Sequence, residues 1–268
     1  MAITLTSGMR QNLFALQGTA KLMEQTQNRL STGKRVNSAL DDPINFFSAQ
    51  NHQQRADDLS FRKDAMGEAI QTAKAGNNGI EAITDLIAQA KSTAQSAASS
   101  AITADRLALS VQYTELQAQI DFMAADSGYK GVNFLNSENL TVSFDADGAS
   151  TLTLTGFDGS ATGLGLAVVS DWAADATNTA TDIALLDTAK DTLRTEAQEL
   201  SNNLSIVTTR QDFTEKMVNT LEDGVANLTN ADMNEEGANM LMLQTRQALG
   251  TTSLSLASEA AQSVLRLF

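Results

Sequence analysis

One proline, Pro43, interrupts 268 residues. Proline is the residue that most sharply ends a helix, so a chain with so few can stay helical over very long tracts. The rest of the composition agrees: aromatic residues make up only 5% of the chain, and Ala, Leu, Gln, Ser and Thr fill it. Such side chains suit helices packed along one another better than a compact aromatic core. The expected fold class is mainly α, built from long helices.

Both ends carry a repeat that asks for a partner. Ala2, Thr6, Met9, Leu13, Leu16, Ala20, Met23, Gln27 and Leu30 follow one another at spacings of three and four. That is a narrow coiled-coil seam, not the broad stripe of a globular helix. Near the other end, Asp232 with Glu235 three residues on reads as a capping box. Met242, Leu249 and Leu256 then recur at seven, with Ala260 and Leu267 beyond. A helix with one thin seam has little to pack on by itself. The economical expectation is that the two ends pair with each other and with copies of themselves. Leu13, Leu16, Ala20, Met23, Leu30, Met242, Leu249, Leu256, Ala260 and Leu267 would then form the seam and subunit interface.

Between the ends, residues 44–98 read as helix, broken only at Gly67 and at Gly76-Asn77-Asn78-Gly79. Ile70, Ile80, Ile83, Leu86 and Ile87 give this tract its period. A second tract covers 104–126 with Leu107, Leu109, Val111, Leu116 and Ile120, and a third covers roughly 178–223. Only residues 128–172 break the pattern. NLTVSF (139–144) and STLTLTGF (150–157) alternate apolar and polar residues across Asp145-Ala146-Asp147-Gly148. They predict a β-hairpin that must lie on the helices, because two strands cannot stand alone in water.

Within the stretch RLSTGKRVNSALDDP (29–43), residues 31–42 read as the connector between the first two helices. Asp42 is placed to cap a helix whose first residue is Pro43, where the missing N–H costs nothing. Gly33, Asn37 and Ser38 are turn formers. Arg29, Lys34 and Arg35 suit the negative end of the preceding helix dipole.

The chain has a formal net charge of −14, and the charge is uneven. Arg10, Lys21, Arg29, Lys34 and Arg35 face only Glu24 in the first 35 residues, so the middle carries more than the whole negative balance. An acidic middle argues against nucleic-acid binding. No apolar run is long enough to span a membrane. MAITLTSGMRQNLF lacks the basic and apolar segments of a secretory signal, so export would need another route. There is no Cys and one His, His52, which cannot build a zinc site. Asp145 to Gly148 lacks the spacing and closing Glu of a calcium loop, and fits a hairpin turn instead. No phosphate loop, GxSxG elbow or acid–base pair is found. The expectation is a protein that is not an enzyme and holds no cofactor.

The connector resembles the signature of the bacterial flagellins, RLSSG-x-RINSA-x-DD, through Arg29, Leu30, Ser31, Gly33, Arg35, Asn37, Ser38, Ala39, Asp41 and Asp42. QNLFALQGTAKL upstream fits, as do ANLTNADMNEE, QALGTTSLSLA and the final VLRLF. The resemblance covers about the first 130 and last 90 residues. One departure is Pro43-Ile44-Asn45-Phe46, where the family places small residues and Gly; the same helix start, differently capped, is expected.

The resemblance implies a mainly α fold, a long antiparallel helical rod with terminal helices paired as a coiled coil and one small β-hairpin region. The molecule it implies is a structural subunit that polymerises into the flagellar filament for swimming, with terminal helices that order on assembly. Its expected layout is a core helix and connector at 1–42, helical rod at 43–128, a hairpin and short variable region at 129–177, rod again at 178–224 and a core helix at 225–268. It implies an extracellular location reached through the type III export apparatus with an export chaperone, and contact with filament cap and hook-associated proteins. Innate immune receptors read a RELAVQ-like stretch in many flagellins. QAKSTAQ (89–95) is the nearest match, with Ala90 in place of the arginine and Lys91 in place of the glutamate, so weak recognition is implied. A hook–filament junction protein is the alternative with similar termini. A secreted enzyme or binding module hung on a coiled coil would need a pocket in 128–177 near Trp172 and Tyr129.

Overall fold

The structure, a computed structural model, describes residues 7–166, 171–174 and 178–265. Ala2, Thr6 and Leu267 of the expected seam lie outside these residues. Five helices and one hairpin make up the described chain: α1 (Ser7–Thr32), α2 (Pro43–Ser99), α3 (Thr103–Asp126), β1 (Leu140–Ser143), β2 (Thr151–Leu154), α4 (Asn178–Thr229) and α5 (Met233–Leu265). The fold is mainly α with a single two-stranded antiparallel sheet. It divides into two units, one within Met1–Gln54 and Thr220–Phe268, the other within Arg55–Asn219. The boundary expected after residue 224 lies inside α4.

In the second unit, α2, α3, α4 and the hairpin share one core. Met66, Ile83 and Ile87 of α2, Ile120 of α3, and Leu186 and Leu193 of α4 are buried together with Phe134 and Leu135. Ala90, Ala94 and Ala97 are also fully buried, small side chains at the three-four spacing that lets a neighbouring element come close. The hairpin closes in the expected place, with Leu140 opposite Leu154 and Ser143 opposite Thr151. Val142, Phe144 and Leu154 drive its inner face into the core, and Gly148 takes a φ of +73° in the turn. Asp145 accepts the Ser150 N–H at 3.1 Å, so its carboxylate clasps the turn.

The Gly76-Asn77-Asn78-Gly79 cluster does not break α2. At Gly79 a Cβ would lie 2.7 Å from Ser127 Cβ and 3.1 Å from Leu135 Cδ2. Glycine serves here as the point of closest approach, and the lost helix propensity, about 1 kcal/mol, is offset by that packing. In α3 the buried positions are Arg106, Tyr113, Gln117, Ile120 and Ala124. Leu107 and Val111 are exposed. The inward face thus carries polar groups that find backbone partners: Arg106 Nε donates to the Trp172 carbonyl at 2.7 Å, and Gln117 donates to the Leu166 carbonyl.

Trp172 is a structural plug. It is 1% exposed, packs against Tyr113 with ring centroids 5.0 Å apart, and donates its indole N–H to Asp182 Oδ2 at 2.6 Å. Asp182 is itself 1% exposed. Burial, and then the Asp182 charge, push the Tyr113 hydroxyl well above its ordinary pKa. The indole is therefore enclosed in a polar cluster of the core and does not line a pocket open to solvent.

Candidate assembly surface

The first unit is built around the connector. α1 ends where Gly33 turns left-handed, φ +69°, and returns its N–H to the Arg29 carbonyl at 2.8 Å. From there the backbone is stitched to the junction of α4 and α5. Arg35 and Val36 both donate to the Thr229 carbonyl, at 2.7 and 3.2 Å, and Ala231 donates to the Gly33 carbonyl at 3.0 Å. Val36, 4% exposed, is the apolar anchor, while Arg35 keeps its side chain in solvent.

Two aspartates finish the connector in different ways. Asp41 Oδ2 accepts three hydrogen bonds, from the Asn37 and Ser38 N–H groups at 3.0 Å each and from the Ser38 hydroxyl at 3.2 Å. Those two backbone donors hold its carboxyl below the ordinary carboxylate pKa, with smaller help from the Ser38 hydroxyl and the Arg29 charge. Asp42 is the N-cap of α2. Its Oδ1 accepts the Asn45 N–H at 3.1 Å and its Oδ2 the Asn45 amide at 2.6 Å. Pro43 is the first helical residue, as its fixed φ favours. Asn37 also donates its amide to the Thr32 hydroxyl at 2.9 Å. Ser31 sits exposed on the last turn of α1.

α1 and α5 pack along each other, antiparallel, and their seam differs from the one expected. On α1 the inward line runs through Met9, Asn12, Leu16, Thr19, Met23, Thr26 and Leu30, with Met9, Thr19 and Thr26 the most buried. Leu16, Met23 and Leu30 are on it as expected; Leu13 and Ala20 are turned out. On α5 the line is Glu236, Met240, Leu243, Gln247, Gly250, Leu254, Ala257 and Ala261. Met242, Leu249, Leu256 and Ala260 each precede a residue of that line and are exposed, Leu249 at 67% and Leu256 at 62%. One residue is a rotation of about 100° on a helix. Within the chain, then, Met242, Leu249, Leu256 and Ala260 of the expected seam point outward, and the intrachain contact runs through Met240, Leu243 and Leu254 with smaller or polar residues between them.

The reason is visible at Gly250. A Cβ there would lie 2.7 Å from Leu16 Cδ2 and 3.1 Å from Leu16 Cγ, so Leu16 seats directly on the bare α5 backbone. Asn12 donates its amide to the Gly250 carbonyl at 3.4 Å beside it. Counting hydrophobic residues passes over such a layer, because a glycine, two threonines and an asparagine do not register as core.

Asp232 caps α5 through the Asn234 and Glu235 N–H groups, at 2.8 and 3.3 Å. The carboxylate that turns inward belongs to Glu236, which takes Arg29 Nη1 at 2.7 Å. Arg29 therefore does more than face the helix dipole. Sequence reasoning missed this partner because 207 positions separate the two residues.

The described surface has no group of three or more metal-ligating side chains, and no described helix is long and apolar enough to cross a membrane. What it offers is an apolar stripe on the outside of a helix pair: Phe14 and Leu22 on α1, and Leu241, Met242, Leu249 and Leu256 on α5. Fold and surface are those of a helical structural subunit with exposed apolar side chains on its first and last helices.

Comparison with known proteins makes the class specific. The bacterial flagellin N-terminal helical region matches residues 5–140. The chain is 31% identical over 270 residues to flagellin FljM of Caulobacter vibrioides, covering 100% of this chain and 98% of the relative. It is 29% identical to a flagellin of Brucella melitensis over 96% of this chain and 95% of the relative. The fold is also similar to the crystal structure of Bacillus cereus flagellin, with a TM-score of 0.50 and 18% identity over 56% of this chain and 88% of that one. The chain belongs to the bacterial flagellin family and is a structural subunit of the flagellar filament, the organelle of swimming motility.

Proposed function

We propose that α1 and α5 form the filament core, and that Leu13, Ala20, Met242, Leu249, Leu256 and Ala260 meet neighbouring copies there. Leu16, Met23 and Leu30 hold the two helices of one chain together. The observation that carries this reading is α5, which presents apolar side chains on its seam and again about 100° away, more than one partner helix covers. Burying the outward stripe requires further copies. The same surplus accounts for terminal helices that acquire order on assembly, within the expected core segments 1–42 and 225–268, while 43–128, 129–177 and 178–224 make up the helical rod and variable region.

The wider setting follows the family: export through the flagellar type III apparatus with an export chaperone, contacts with cap and hook-associated proteins, and a place outside the cell. No catalytic role and no cofactor are assigned. Weak recognition by innate immune receptors fits the packing at 89–95, where Ala90 is 0% exposed and Lys91 is engaged by Asp187.

Seeded polymerisation tests the core assignment. Leu249→Gln with Leu256→Gln, or removal of the last thirty residues, stops growth on filament fragments while the unfolding of the second unit stays unchanged. Wild-type growth by either variant would refute it.

A further inference from the structure

Resting on that core assignment, we infer that Arg29 and Glu236 are positioning residues that, beside the connector hydrogen bonds to Thr229 and Gly33, select the register of the α1–α5 pair, and through it where the outward stripe lies in the filament. The seam itself is permissive. Its seven-residue repeat runs the length of both helices, and between Leu16, Leu30, Leu243 and Leu254 many layers are small, flexible or weakly polar, Thr19, Thr26, Gln247 and Ala257 among them. A slip of one repeat, about 10 Å along the axis, brings Met23 or Met9 to the place where Leu16 faces Gly250. Methionine is the side chain best able to fill such a change.

Glu236 cannot slip without loss. It is the one charged residue on the α5 line, and its side chain is 8% exposed. In the observed register it meets Arg29. A slip that brought it opposite Met23 would leave it a buried charge with no counter-ion, which is strongly unfavourable.

The contact is poorly made for stability alone. It uses one hydrogen bond, Nη1 to Oε1, not the two-pronged fork available to arginine and carboxylate. Arg29 Nε and Glu236 Oε2 are both buried without a protein partner. A buried polar contact retained at a cost in stability, at one layer of a repeating seam, is the established way a coiled coil selects register. Its position adds leverage, because Arg29 lies on the last turn of α1, immediately before the connector.

The chain has no cysteine, so introduced pairs report register directly. In full-length protein polymerised on filament seeds, Thr19→Cys with Gln247→Cys cross-links the observed register, and Thr19→Cys with Met240→Cys cross-links the register slipped by one repeat, in which Glu236 faces Met23. Each pair is placed in the wild-type, Arg29→Lys and Arg29→Met/Glu236→Leu backgrounds. The last replaces the ion pair by apolar side chains and leaves no orphan charge. The expected result is the first cross-link alone in the wild type and in Arg29→Lys, and both cross-links in Arg29→Met/Glu236→Leu, whose filaments then show mixed helical forms by electron microscopy.

If Arg29→Met/Glu236→Leu gives the first cross-link alone, or neither, the pair does not select register and the inference is overturned. Failure of the core assignment shows separately, as undiminished growth of the Leu249→Gln/Leu256→Gln chain.

Discussion

Replacing Trp172 by Phe in the full chain separates a packing role from an electrostatic one. The smaller ring leaves a void of about 40 Å³, worth ~1 kcal/mol at the cavity coefficient measured in other cores. It also removes the N–H that Asp182 Oδ2 accepts at 2.6 Å. Because Asp182 is 1% exposed, that carboxylate cannot turn to water, and loss of a hydrogen bond to a buried charged group costs about 1.5–3 kcal/mol. Together the two effects amount to ~3 kcal/mol. With a urea slope of about 2 kcal/mol per molar, the midpoint followed by far-ultraviolet circular dichroism falls by ~1.5 M. Asp182→Asn keeps an acceptor and loses only the charge-assisted part, about 1 kcal/mol. In the double variant the costs do not add, and the shortfall, ~1–2 kcal/mol, measures the indole–carboxylate contact. A Trp172→Phe midpoint within about 0.3 M of the wild type, or strict additivity in the double variant, would refute this account.

Two glycines with opposite constraints give a second test: Gly33→Ala meets nothing within 4 Å and only a positive φ, so it costs about 1 kcal/mol. Gly156→Ala meets backbone, Phe134 O at 2.7 Å and Glu138 N at 2.8 Å, and costs ~3 kcal/mol by overpacking; urea midpoints in the reverse order would contradict both. A third concerns acid: Asp41 has a depressed folded-state pKa, so its contribution is complete above the ordinary carboxylate range and is lost as pH falls through the folded value. Amide exchange at Asn37 and Ser38 therefore accelerates between about pH 5 and 2 beyond its intrinsic trend, and in Asp41→Asn protection is already low at neutral pH.

How much of this was legible in sequence depended on the range of the interaction. The α2 start needed only neighbours: Asp42 caps, Pro43 follows, and Asn45 closes the turn. The hairpin was legible for the same reason, since alternation and a Gly-containing turn fix strands only a few residues apart. The N-terminal seam was half legible, because Leu16, Met23 and Leu30 are apolar while the layers between them are Asn12, Thr19 and Thr26. The α5 seam was not legible, because its decisive residue is Gly250, whose value lies in an absent side chain that another helix occupies. Arg29 with Glu236, and Trp172 with Asp182, were hidden differently. A charged or polar group in a sequence announces a solvated face until a tertiary partner shows otherwise.

The turn at Ala146-Asp147-Gly148 is exposed and lies between a carboxylate clasp at Asp145 and the paired rungs of β1 and β2. Lengthening the chain at its tip would leave the clasp and every rung in place. The entropy of closing a longer loop grows only logarithmically with length, so a segment inserted at this tip costs little and leaves the packed core beneath it unchanged. Size variation and shape conservation can therefore coexist in one polymer-forming lineage.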